Sequence, residues 1–194
     1  MNYPLALSFR ILSWGPQIQV TDAIGSLVFY VKQKLFKLKE EVTVFADSEQ
    51  TRPLYSLKAD RVLDFSARYS FFDGQGLPLG SVKRHGMKSL WRAHYEILAD
   101  SSSAMILREE NPWVKVLDGL LNEVPLLGLF TGYFLHPSYL VSWPEGAPLL
   151  RLKKQPAFLE ARFSIERLNP MGEAEELRAL LSLLMFVLME RGRG

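Results

Sequence analysis

The chain has 194 residues, 48% of them apolar and 23% charged, with a formal net charge of +2. That length and apolar share suffice for one substantial core and exclude a disordered chain, while a charge so near balance gives no global argument for nucleic acid. The absence of cysteine excludes a disulfide framework and thiolate chemistry and fits a reducing, cytoplasmic setting.

From Met1 to Trp14, Pro4 and Arg10 interrupt a short apolar stretch with no small-residue cleavage site, so a first strand is expected rather than a leader. Ile18 and Val20 alternate with Gln17 and Gln19, turn chemistry runs from Thr21 to Gly25, and Leu27, Phe29 and Val31 form the next apolar row. This is a hairpin pattern. Val42, Val44 and Ala46 recur at period two before Asp47-Ser48-Glu49. Arg68 to Phe72 then leads into Asp73-Gly74-Gln75-Gly76 and on to Val82-Lys83, and Trp91 to Ala99 ends in Asp100-Ser101-Ser102-Ser103. Short strands with frequent turn signals favour a sandwich or barrel over βαβ units.

The middle of the chain departs from this rhythm. After Asn111-Pro112, the residues Trp113, Val116, Leu117, Leu120, Leu121 and Val124 recur at helical spacing, predicting a short amphipathic helix at about 112–124. The apolar run Leu126 to Leu135 is expected to lie under that helix, or to contact a membrane or partner if it is exposed. A closing strand from Phe158 to Leu168 follows. Beyond Asn169-Pro170, the acids Glu173, Glu175 and Glu176 precede an apolar stretch, and Arg191 and Gly192 follow it, predicting a helix over about 171–191. Its interior, Ala179 to Met189, is apolar apart from Ser182. That interior is ~16 Å long against ~30 Å of bilayer hydrocarbon, so it is too short to span a membrane and belongs inside a closed barrel.

One pattern occurs three times: a glycine followed seven residues later by a lysine with an apolar residue before it. The copies are Gly25 to Val31-Lys32, Gly76 to Val82-Lys83 and Gly146 to Leu152-Lys153, the first two with an upstream Asp22 or Asp73. These units, the all-β body and the terminal apolar helix resemble the tubby C-terminal-like fold, in its LURP-one-related and phospholipid-scramblase-like branch. The resemblance implies a mainly β fold: one barrel domain over 1–194, of about twelve strands, threaded by the C-terminal helix and carrying a central insertion at about 109–138. Tubby domains bind phosphoinositide head groups through Lys and Arg on neighbouring strands. The nearest counterparts here are Lys32 and Lys34, with Lys83, Arg84, Arg151, Lys153 and Lys154 as further basic positions. The proline-rich region, cysteine cluster and acidic calcium segment of scramblases have no counterpart, so scrambling and calcium control are not carried over.

The apolar residue before each recurrent lysine places that lysine on the outward face of its strand. Such lysines suit an anionic ligand, but they also protect strand edges and aid solubility. Catalytic patterns are weak. His85, His94 and His136 lack metal-ligand spacing, Gly74-Gln75-Gly76 is followed by Pro78 where a nucleotide-binding helix would start, and Asp60, Asp64, Glu109 and Glu110 read as solvated acids. The expected protein is therefore a non-enzymatic module without metal, cofactor, nucleic-acid partner or transmembrane span. It would sit peripherally on anionic phospholipid; the alternative is a protein scaffold using the central apolar insertion.

Overall fold

The structure, a computed structural model, describes residues 1–10, 17–32, 41–60, 68–84, 94–100, 102–110, 137–157 and 160–191. Among them, alternating apolar and polar residues form twelve strands. These are β1 (Leu5–Arg10), β2 (Gln17–Thr21), β3 (Leu27–Lys32), β4 (Glu41–Phe45), β5 (Pro53–Ala59) and β6 (Arg68–Asp73), followed by β7 (Pro78–Arg84), β8 (His94–Ala99), β9 (Ser102–Glu109), β10 (Ser138–Ser142), β11 (Pro148–Gln155) and β12 (Glu160–Arg167). Each pairs antiparallel with its sequence neighbours, and β12 closes onto β1. The expected closed barrel is the observed one, and its single helix among the described residues, α1 (Glu173–Arg191), packs against β6, β7 and β8. The expected helix at 112–124 and the apolar run 126–135 lie outside the described residues.

An up-and-down barrel has two ends, and here they are built differently. At one, the turn end, short connections join β2 to β3, β4 to β5, β6 to β7, β8 to β9 and β10 to β11. Three share one geometry: Gly25 N donates to Asp22 O, Gly76 N to Asp73 O and Gly146 N to Trp143 O, at 2.9–3.0 Å. All three glycines have positive φ, 83°, 83° and 105°, which a side chain rarely tolerates and which explains their recurrence. The other end, the loop end, is where the odd-numbered strands, β1 to β11, finish.

Every turn-end hairpin also carries a β-bulge one or two residues into its outgoing strand. The extra residues are Val28, Leu54, Leu79, Ala104 and Leu149. Bulges at barrel rims bend strands and raise twist, which helps a sheet close on itself. They also set a common origin for counting along β3, β5, β7, β9 and β11. One residue past the bulge come Phe29, Tyr55, Gly80, Met105 and Leu150; three past it come Val31, Leu57, Val82, Leu107 and Leu152. The second of these layers is entirely apolar and buried.

The helix fills the space inside these layers. Ala179 to Leu188 is buried on all sides, as its all-round apolar sequence requires. Phe186 meets the rings of Tyr95 and Tyr139, at centroid distances of 5.4 and 4.5 Å. Gly80 is the one member of the first layer without a side chain, and Arg178 of α1 passes there, its Nε donating to Leu79 O at 2.8 Å. A Cβ on Gly80 would lie 2.5 Å from Leu98 O and 2.7 Å from Arg178 Nε. Where the helix enters the barrel, Arg167 lies 3.7 Å from Glu176 and 5.8 Å from the Tyr3 ring centroid. Burial, with Glu176 nearby, pushes the Tyr3 hydroxyl well above its ordinary range.

Candidate functional site

Four residues past each bulge, on the outward face, stands a basic side chain. The set is Lys32 on β3, Lys58 on β5, Lys83 on β7, Arg108 on β9 and Lys153 on β11. Strand parity makes them face outward, because the residue before each is buried in the wall: Val31, Leu57, Val82, Leu107 and Leu152. Lys32, Lys58, Arg108 and Lys153 are exposed and Lys83 is half-buried. Four residues of strand amount to ~13 Å, so all five stand at one distance from the bulged rim, near the loop end. They form a basic belt around the outside of the barrel.

The three recurrent lysines are thus part of a larger repeat. Lys58 and Arg108 were not singled out in the sequence, although the pentapeptides match: Val-Phe-Tyr-Val-Lys at 28–32, Leu-Tyr-Ser-Leu-Lys at 54–58, Leu-Gly-Ser-Val-Lys at 79–83, Ala-Met-Ile-Leu-Arg at 104–108 and Leu-Leu-Arg-Leu-Lys at 149–153. An apolar residue, two variable positions, Val or Leu, then Lys or Arg is the signal that finds them. The glycine hid it, because the two other hairpins place Gln50 (φ 62°) and Asp100 (φ 52°), not glycine, in the left-handed region.

A family model described as LURP-one-related matches residues 8–118, more than half of the chain. The chain belongs to the LURP-one-related family. It is similar in fold to a protein of Arabidopsis thaliana solved by X-ray methods, with 18% identity, 95% of this chain and 91% of that one covered, and a TM-score of 0.50. No curated protein sequence matches the chain.

The LURP-one-related barrel sorts the expected basic residues into different settings. Lys32 and Lys153 are exposed members of the belt, and Lys83 is a half-buried one. Lys34 lies outside the described residues. Arg84 is a correction. On an alternating strand, two adjacent residues cannot both face outward, and with Lys83 outside, Arg84 turns into the barrel. It is buried, with its guanidinium 6.0 Å from the Tyr95 ring centroid. Lys154 has the same inward parity as Leu150 and Leu152, but is exposed at the end of the wall. Glu109, expected to be solvated, is buried too, five residues past its bulge like Arg84 and Lys154.

Arg151 faces outward but is engaged within the fold. Its Nη2 donates to Glu110 Oε1 at 2.7 Å and its Nε to Oε2 at 3.0 Å, and Nη1 lies 3.5 Å from Glu166. The bidentate bond from Arg151 holds the Glu110 carboxyl below the usual carboxylate range. Around the belt, the acids are uneven. Lys58 pairs with Glu41 at 3.2 Å, and Lys83 stands in register between Arg68 and Glu96. Lys32 is in register with Gln17, Arg108 with His94 and Leu140, and Lys153 with Ser138 and Ser164. The arc from β9 through β11 to β3 therefore keeps cations whose register neighbours are uncharged or weakly basic.

No helix among the described residues is long and apolar enough to cross a membrane. The outward positions of the wall mix Lys, Arg, Glu, Ser and Gln with Tyr30, Phe45, Phe72, Ile106 and Leu140, while the inward positions are mainly apolar.

Proposed function

We propose that this LURP-one-related chain is a non-enzymatic binding module that associates with anionic phospholipid head groups at a membrane surface. The observation behind this reading is the basic belt: five Lys or Arg at one station of five strands. Solubility alone asks for scattered charges of both signs, not for one sign repeated at one structural position. The resemblance to tubby-like and scramblase-like barrels supports the same ligand class, as cations on outer strand faces are what such head groups require.

Co-sedimentation of the protein with neutral and anionic liposomes across a salt series tests this. Binding restricted to anionic vesicles and weakened by salt is the expected result, because charge attraction at a surface is screened within a Debye length of ~8–10 Å at 0.1–0.15 M salt. Failure to bind either vesicle type removes the lipid reading and moves the weight to a protein partner or a soluble ligand.

A further inference from the structure

We propose that Asn2 and Tyr3 form a clasp at the turn-end mouth of the barrel, tying the β2–β3 hairpin to the entry of α1 so that hairpin and helix entry open as one local unit. The inference is independent of the lipid reading.

Strand register brings the parts together. β1 and β12 pair Leu5 with Ile165 and Leu7 with Phe163. The same register carried two residues beyond the ladder sets Tyr3 opposite Arg167, and alternation gives both the inward parity of Leu5 and Ile165. Tyr3 therefore reaches over the mouth rather than out from the wall, and it packs against the core. Its ring centroid lies 5.8 Å from the Arg167 guanidinium, and its hydroxyl is enclosed beside Glu176. Arg167 in turn grips the start of the helix twice: its Nη2 donates to Met171 O at 3.0 Å, and its Nη1 lies 3.7 Å from Glu176 Oε1. Glu176 is buried, and its backbone N–H donates to Gly172 O at 2.9 Å, closing the turn that opens α1.

The neighbouring residue makes the second attachment. Asn2 O accepts from Ala23 N at 2.9 Å, and Asn2 Nδ2 donates to Asp22 Oδ2 at 3.1 Å. Asp22 and Asp73 use one carboxylate oxygen alike, Oδ1 accepting from the backbone N–H groups two and four residues on. In the first hairpin the second oxygen is turned to Asn2, and Asp22 is buried where Asp73 is half-buried. The clasp thus joins two elements far apart in sequence through two adjacent residues. It is made of polar contacts at the mouth, whereas Ala179 to Leu188 is held by apolar burial on all sides. Opening the clasp frees the helix entry and leaves the deeper helix in place.

Amide hydrogen exchange of the full chain, resolved residue by residue by NMR, tests this. In the unaltered protein, Ala23 and Glu176 should share one degree of protection, lower than that of Leu183 to Leu188. Tyr3→Phe keeps the ring near Arg167 and removes the hydroxyl beside Glu176; it should speed exchange at Glu176 and at Ala23 alike, by about tenfold. Asn2→Ala is an exposed change at the hairpin attachment, and it should speed the same two amides together by about threefold. Gly76, in a hairpin that the clasp does not touch, should keep its rate in both variants. An effect of Asn2→Ala confined to Ala23, or of Tyr3→Phe confined to Glu176, would show two separate attachments and overturn the clasp. Equal acceleration at Gly76, or protection of Glu176 as high as that of Leu183 to Leu188, would also overturn it, by showing that the mouth opens only with the whole barrel.

Discussion

The two ends of the barrel use their charged residues in different ways. At the turn end three carboxylates are consumed by the fold: Asp22 accepts from the backbone N–H groups of Ile24 and Ser26, Asp47 from those of Thr51 and Arg52, and Asp73 from those of Gln75 and Leu77. Toward the loop end, the belt cations stand on the outer wall, where Lys58 pairs with Glu41. Charge at the first end specifies structure; the belt cations at the second are those that the proposed function assigns to an external anion. Variants at the two ends should therefore separate stability from binding.

The largest effect is expected from the element that joins the ends. Removing residues 177–194 deletes the buried helix around which the layers close, and each large side chain lost forfeits ~1.5–3 kcal/mol of burial. Thermal unfolding should lose its cooperative transition; a monomeric product with a sharp transition would show that the wall stands without its filling. Next comes Gly80→Ala. The new methyl meets Leu98 O and Arg178 at a φ of 130°, so strain and overpacking should cost about 3 kcal/mol in denaturant unfolding. A neutral outcome would mean that the helix can shift away from β7.

Smaller effects follow at the turns. Asp22→Ala or Asp73→Ala leaves backbone donors of a tight turn without their carboxylate, and each should lower the melting temperature by a few degrees. The Arg151 network sharpens the comparison by pH. Because the folded Glu110 carboxyl is depressed by Arg151, its contribution is fully present above the ordinary carboxylate range and is lost as pH falls through its depressed value. Glu110→Gln should flatten the acid limb of a stability-against-pH curve, and an unchanged limb would remove the network from the account. Least of all, in stability, is expected from the belt: Lys32→Gln and Lys153→Gln should leave the melting temperature where it is.

Much of the fold was legible because barrel and helix obey strong periodicities. Val20 against Gln19 and Val31 against Lys32 mark which face is which, and Ala179 to Met189 has no polar stripe, so it had to be enclosed. The three glycine turns were legible for the same local reason, since only a positive φ selects glycine so firmly. The belt was half visible. Lys32, Lys83 and Lys153 follow glycine turns, whereas Lys58 and Arg108 follow turns that place Gln50 and Asp100 in the left-handed region, so the marker of the repeat was lost although its pentapeptide was present. Arg84 and Glu109 were misread because sequence shows a charge without its side of the wall until register is fixed. The engagement of Arg151 was not legible because its partner Glu110 lies 41 positions away and meets it through the pairing of β9, β10 and β11.

The most direct measurement combines Lys32→Gln, Arg108→Gln and Lys153→Gln in one chain and compares its thermal unfolding and its binding to anionic vesicles with those of the unaltered protein. An unchanged melting temperature with binding reduced roughly a hundredfold is the result expected of a belt free for an external anion. A lowered melting temperature with unaltered vesicle binding would assign those cations to the fold and contradict the account.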